Sequence, residues 1–334
     1  MATITDVAKA AGVSTATISR VINNTGFVKD ETRNRVLRVI SELGYYPNAI
    51  GQNLRLNKTN VTMVIVPEIT NPFIAEVVRS IESKARAHGY SVILHEYLHD
   101  GTSADDMERF ISSRRIDGMI FLTAEAKLKE FERISERCPT VLACEYVDHL
   151  DIPSVSIDNI AAVIDAMRYL ISLGHEKILF LNGEPDNISC RDRLRGYRIS
   201  LEQAGIDFDQ KLVVECACAS TSAYEVMTRA LEGAEDFSAV LCGSDVIAIG
   251  VMKAIHDRGL DIPGDISVIG FDDIEFSSFV QPALTTVYQP AAEIGQLAMQ
   301  MMLDLYAGKS IEYPVKMRHE LRIRESCGLR RRAR

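Results

Sequence analysis

Residues 14–20 read STATISR, a run of small and hydroxylated side chains closing on an arginine. Small side chains can approach base edges and thymine methyl groups, and an arginine bonds phosphate or guanine. The chemistry on offer is nucleic-acid contact, through Thr15, Ala16 and Thr17 at a helix start, with Ser19 and Arg20 a turn on. Other constellations fail on spacing. His95-Glu96-Tyr97-Leu98-His99 spells HExxH, which on a helix would set two histidines over one zinc ion. It falls in the strand-like run YSVILHEYLH, where positions four apart share a face at about 13 Å, too far for one ion. No metal and no cofactor is expected. Cys216 and Cys218 have no nearby Cys or His partner and read as buried free thiols. GxGxxG, the Walker A loop and GxSxG are missing, so hydride transfer, nucleotide hydrolysis and serine hydrolysis have no support, and no enzyme is expected.

The elements carrying the head residues are short helices. Thr3 and Asp6 have the spacing of a capping box, and Gly12 ends the first helix. Ser14 caps the second, with Val13 able to pack back on Ile18, and that helix runs to about Asn23. Asp30 is expected to cap a third, whose apolar positions Val36, Leu37, Val39, Ile40 and Leu43 recur at helical spacing until Gly44 and Pro47. Two helices across a tight turn fit a helix-turn-helix, and from spacing alone they also fit an ordinary helical hairpin. Residues 48–58, NAIGQNLRLNK, place Leu54 in a polar, basic stretch too short to be helical without a partner.

From Val61 the pattern turns to alternating strands and helices. Apolar runs lie at 61–66, 90–97, 118–122, 140–144, 154–157, 177–181, 238–242 and 266–271, with helical stretches such as 73–88 and 245–258 between them. Such runs indicate parallel sheets covered on both faces, and their number fits two adjacent doubly wound lobes better than one large sheet. At 334 residues, with 47% hydrophobic and 25% charged side chains, the chain is ordinary globular material that needs no disulfides. Seven scattered cysteines without CxxC pairs fit a reducing cytoplasm. The start MATITDVAKA lacks the basic and apolar regions of a signal peptide, and no apolar run is long enough to span a membrane. The net charge of −9 argues against a nucleic-acid partner until its distribution is seen. Residues 1–60 hold eight basic side chains against four acidic ones, so a basic head sits on an acidic body.

The segments TITDVAKAAGVSTATISRVIN (3–23) and VKDETRNRVLRVISELGYYPNAIGQNLR (28–55) resemble the head of the LacI/GalR family of bacterial transcription regulators. The resemblance continues through NPF (71–73), DG (117–118), RLRGY (193–197), SD (244–245), IGFDD (269–273), PALTTV (282–287) and RES (324–326). Within that family the stretches IVPEITNPF and SVSIDN are most similar to the cytidine-type repressor branch.

The resemblance implies a helix-turn-helix domain over 1–46, a hinge helix over 47–58, and an effector-binding and dimerisation domain over 59–330. The fold it implies is a small all-α head on an α/β body: two doubly wound parallel-sheet lobes of the type I periplasmic-binding-protein kind. The first lobe would take about 59–157 plus 288–315, and the second about 158–287 plus the last strand. Thr15 and Ala16 match the positions that chiefly read bases; because they are small, discrimination per base should sit at the low end of about 1–3 kcal/mol. Ser14, Thr17, Ser19, Arg20 and Asn23 match further phosphate- or base-contacting positions, and Thr5, Asn48 and Arg55 complete the expected set. Leu54 matches the hinge leucine that wedges into the minor groove, unstacking a base step.

In the body, the resemblance points to Phe73, Glu145, Arg193, Ser244 and Asp272 as effector contacts, at strand ends or helix starts facing a cleft. Phe73 can stack on a ring, and an arginine with carboxylates suits adjacent hydroxyls of a sugar, sugar acid or nucleoside. Cys218 stands where several relatives place a stacking aromatic, which favours a sugar over a planar base. The expected protein is a cytoplasmic, nucleoid-associated homodimer, with no membrane partner. As a regulator, and in the first instance a repressor, it would bind a near-palindromic operator and be tuned by a small molecule. No heptad helix follows residue 326, so a dimer rather than a tetramer is expected. The competing reading is a solute-binding protein or enzyme on the same body.

Overall fold

The computed structural model describes residues 2–22, 25–45, 58–97, 102–124, 128–183, 187–233 and 236–330. They divide into two compact units, Met1–Thr59 and Asn60–Arg334.

The first unit holds α1 (Ile4–Ala11), α2 (Thr15–Ile22) and α3 (Asp30–Glu42). α1 starts at a capping box: Thr3 Oγ1 accepts from the Asp6 N–H, and the Thr3 N–H donates to Asp6 Oδ2 at 2.9 Å. It ends on Gly12 at φ 63°, a left-handed turn that a side chain would strain, and this sends the chain directly into α2. Ser14 caps α2 through the Thr17 N–H at 3.2 Å. Asp30 does not cap α3; it is the first helical residue, and Lys29 before it makes no side-chain cap. In the first turn its carboxylate still favours the positive helix end. Val7, Ile18, Val21 and Val36 are buried between these three helices, while Leu37 and Leu43 face outward.

The second unit follows the order β1 (Val61–Val66), α4 (Pro72–Ala87), β2 (Ser91–Glu96), α5 (Thr102–Ser112), β3 (Gly118–Phe121), α6 (Leu128–Ser135), β4 (Thr140–Ala143) and β5 (Ser154–Ile157). It continues with α7 (Asn159–Ser172), β6 (Ile178–Asn182), α8 (Ile188–Ala204), β7 (Val213–Glu215), α9 (Ser220–Glu232), β8 (Ala239–Cys242), α10 (Asp245–Asp257) and β9 (Ser267–Asp272). It closes with β10 (Thr285–Tyr288), α11 (Ala291–Tyr306), β11 (Val315–Met317) and β12 (Glu320–Arg322). Two six-stranded sheets form, ordered β11-β5-β4-β3-β1-β2 and β12-β10-β9-β8-β6-β7. Every pairing is parallel except β10 with β12. The eight runs expected as strands are strands; β7, β10 and β11 lie outside those runs, and β12 joins the second sheet as its last strand.

The central strands are buried on both faces, as helix-covered parallel strands must be. The chain passes between the two lobes at Asp158, at Gln289 and Pro290, and at Arg318 and His319. Two glycines set helix spacing. A Cβ on Gly250 would lie 2.2 Å from the Ser220 carbonyl oxygen, and one on Gly295 2.4 Å from that of Val77. These close approaches seat α10 on α9 and α11 on α4. His95 lies on β2, and His99 is outside the described residues. Among the described residues no helix is long and apolar enough to cross a membrane.

Candidate functional site

In the first unit, Thr5, Ser14, Thr15, Ala16 and Arg20 are exposed, and Thr17 and Ser19 are partly so. The Ser14 and Thr17 hydroxyls lie 3.0 Å apart, so both also serve the α2 start. Behind them Ile18 and Val21 are buried, which turns the 15–16–20 edge of α2 outward. Asn23, Asn48, Leu54 and Arg55 lie outside the described residues, as does most of the 47–58 segment.

In the second unit, strand C-termini from both sheets surround a cavity of about 290 Å³. Phe73, Glu145, Arg193, Ser244 and Asp272, all expected as contacts, line it together. They arrive from separate elements. Asn71 caps α4 by accepting from the Phe73 N–H at 2.9 Å, with Pro72 at the first helical position. Phe73 is only 7% exposed and belongs mainly to the core, with an edge on the cavity. Ser244 caps α10 through the Ile247 N–H at 3.2 Å, and its hydroxyl lies 3.3 Å from the Cys218 sulfur.

Arg193, on α8, is held at three points. Nε donates to Asn159 Oδ1 at 2.9 Å, Nη1 to the Gly243 carbonyl at 2.5 Å, and Cζ lies 3.8 Å over the Phe271 ring. That anchorage is a cation–π seat plus two charge-assisted bonds. Asp272 ends β9 at φ 111°, a conformation side chains rarely adopt, which aims its carboxyl at the cleft. Gln289, at a crossover between lobes, donates to Asp272 Oδ1 at 2.7 Å. Burial pushes the Asp272 acid up to about 8, with Arg193 and the Gln289 bond pulling the other way.

Glu145 differs from its expected part. It is buried, and both oxygens are engaged by protein: Oε1 accepts from Asn187 Nδ2 and Oε2 from the Ala124 N–H. It lines the cavity as a tie between lobes. Sequence reasoning missed Asn187, whose only signal was a cap position, and Gln289, which sits at a crossover that periodicity does not mark. It also missed Asp245 beneath the cavity. This fully buried carboxylate accepts from the Ile274 N–H at 2.9 Å and from the Ser277 and Thr286 hydroxyls, each at 2.6 Å. Burial raises it to about 6. Cys218, expected to be buried, is exposed as a residue at the cavity edge in the turn before α9, although its sulfur packs against the Ser244 hydroxyl and the Asn71 amide. Cys190 also lines the wall, and burial pushes its thiol up to about 11, which keeps it protonated and inert at neutral pH.

A helix-turn-helix head joined to a two-lobed body with a cavity at its strand ends defines a class: DNA-binding regulators controlled by a small molecule. The comparisons agree. A model of the lacI family of bacterial regulatory proteins matches residues 3–48, and a periplasmic binding protein-like domain matches 167–327. The HTH-type transcriptional repressor CytR of Escherichia coli is 37% identical over 314 residues, covering 93% of this chain and 91% of that one. The lac repressor dimer bound to operator and the anti-inducer ONPF superposes with a TM-score of 0.89 at 27% identity, covering 98% and 99% of the two chains. A transcriptional regulator CelR–cellobiose complex matches with a TM-score of 0.74 at 28% identity, covering 98% and 100%. The chain belongs to the lacI family of bacterial regulatory proteins, and it is a DNA-binding transcription regulator with an effector-binding body.

Proposed function

We propose that this regulator is a homodimeric repressor acting on a near-palindromic operator, and that its effector is a neutral, hydroxyl-rich small molecule, a sugar or a nucleoside. The observation that carries the ligand class is the charge of the cavity wall. Among the described residues it presents Glu68 and Glu145 against a single basic side chain, Arg193, with Asp272 held protonated beside them by burial. An anionic sugar acid would meet that excess of carboxylates, whereas adjacent hydroxyls can donate to Asp272 and accept from Arg193. The sugar-bound CelR relative supports the same choice. The likeness to the operator-bound lac repressor supports taking this lobe arrangement as the DNA-binding form, with two recognition helices about one DNA turn apart. Such a regulator works in the cytoplasm, at the DNA, without enzymatic turnover.

The test is a thermal-shift screen of sugars, sugar acids, sugar phosphates and nucleosides, since a bound ligand raises apparent stability by mass action. Stabilisation by neutral sugars or nucleosides and not by acids is the expected result; stabilisation by phosphates or acids alone would overturn the class. Repeating each hit with bound DNA gives the sign of coupling, by linkage. Binding to DNA should weaken steeply with salt, while a neutral ligand's affinity should hardly move.

A further inference from the structure

On one side of the cavity the two lobes are tied by neighbouring residues. Glu145, Tyr146 and Asp148 follow β4 in the first lobe, and the start of α8 in the second lobe presents Asn187, Arg191 and Asp192 to them. Asn187 Nδ2 donates to Glu145. The Tyr146 hydroxyl donates to Asp192 Oδ2 at 2.8 Å. Arg191 and Asp148 lie 3.9 Å apart, both half exposed, which makes that pair a weak third tie.

The Tyr146 ring is fixed from behind. Lys316 on β11 places Nζ 4.3 Å over its centre and donates to Ser156 Oγ on β5 at 2.9 Å, so the ring is held by first-lobe strands before its hydroxyl reaches across. Burial and the Asp192 bond raise the Tyr146 hydroxyl above its ordinary range, so it stays a donor at any working pH. At the opposite lip the lobes meet through Asn71 Nδ2 and the Cys218 sulfur at 3.7 Å, a weak contact to a soft acceptor. The cleft is therefore firmly joined along one edge and loosely along the other. Glu145 also lines the cavity, so one end of the firm edge is within reach of a bound molecule.

We propose that Tyr146–Asp192, with Glu145–Asn187 beside it, is a latch that holds the lobes in the operator-binding arrangement and so sets DNA affinity before any effector binds. This rests on reading the chain as a DNA-binding regulator whose lobes move, and it names the contact that fixes their closure. A two-state arrangement responds to a contact only if that contact differs between the states, and a bond joining one lobe to the other is of that kind. The latch predicts that Tyr146 and Asp192 act as one unit.

The experiment uses the full chain and a labelled duplex recovered by selection from a random-sequence DNA library with the unaltered protein. Operator affinity is measured by anisotropy, without ligand, for the unaltered chain, Tyr146→Phe, Asp192→Ala and the double variant. Tyr146→Phe keeps the ring under Lys316 and removes only the hydroxyl. Each single change should weaken binding about fivefold or more, the factor supplied by one hydrogen bond of ordinary strength, and the double variant should be no weaker than the worse single. A cooperative melt close to that of the unaltered chain confirms that the variants are folded. Affinities within about twofold of the unaltered chain, or single effects that add in the double variant, would overturn the latch. Failure of the unaltered chain to select any duplex would instead overturn the DNA-binding reading, and the latch with it.

Discussion

Arg193→Lys keeps the positive charge in the cavity and removes the planar fork. In the native arrangement Nε and Nη1 are committed to Asn159 and Gly243, the guanidinium lies on Phe271, and Nη2 makes no hydrogen bond among the described residues. That outer edge is the donor left for an effector oxygen. A lysine ammonium is a single point on a flexible stem and cannot fill all three roles. If it bonds the Gly243 carbonyl, Asn159 Oδ1, in a side chain 2% exposed, loses its donor. An orphaned buried acceptor costs about 1–3 kcal/mol, which for a unit of this size lowers Tm by about 2–5 °C. The lost charge-assisted bond to the effector is a separate term of about 1.5–3 kcal/mol, or about 10- to 150-fold in affinity. Calorimetric titration with the first ligand found by thermal shift measures that loss. Anisotropy on the selected duplex, without ligand, should be unchanged, because Arg193 makes its bonds inside the second lobe. Ligand affinity within about twofold of the unaltered chain would refute the assignment of Arg193 to the effector, since even a weak bond is worth more than that.

Three further outcomes are expected. Asp272 is held protonated well above the unfolded value of 3.8, so the stability it contributes is present at low pH and lost as pH rises toward about 8. A ligand hydroxyl donating to the carboxylate pulls that pKa back down, so binding at pH 7 should release protons and tighten between about pH 6 and 8; equal binding heats in phosphate and Tris buffers would contradict this. Asp245→Asn turns one of the two oxygens that together accept three bonds into a donor and should cost about 2–4 kcal/mol, read as a lower calorimetric Tm with weaker ligand binding through the adjoining Ser244 cap; a Tm shift below about 1 °C would mean the buried carboxylate is not holding β10 and the turn after β9 to α10. Leu54→Ala should weaken binding to the selected duplex about tenfold or more while ligand affinity stays level, because a minor-groove wedge acts only on DNA; unchanged DNA affinity would remove the wedge.

Much of the architecture was legible in the chain because it is written in local pattern. The capping box at Thr3 and Asp6, the left-handed turn at Gly12 and the Ser14 cap each involve residues within three positions of one another. Apolar runs such as 61–66 and 118–121, short and alternating with helical stretches, read as buried parallel strands. β7 and β11 escaped because three residues carry too few side chains to show a period, and β10 because it opens on two threonines, where β3 and β8 of the same length are apolar throughout. The Asp30 cap was misplaced by one residue, where an acidic residue in the first turn and one at the cap look alike in sequence.

The cavity residues were legible in type and not in task. Phe73, Glu145, Arg193, Ser244 and Asp272 do meet around one space, yet the roll could not tell a side chain facing that space from one already engaged. Glu145 is held by Asn187 and Ala124, and Asp272 by Gln289, partners 42, 21 and 17 positions away. No periodicity carries information over such distances, since each pairing follows from how two sheets stack and where the chain crosses between them. The sequence by itself determined the elements, the two kinds of unit and the family, because burial pattern, capping and motif are properties of neighbours. Only the tertiary structure decided which carboxylate faces the cavity, which one ties the lobes, and where Tyr146 finds Asp192, because the partners of a buried polar group are set by the packing that excludes water around it.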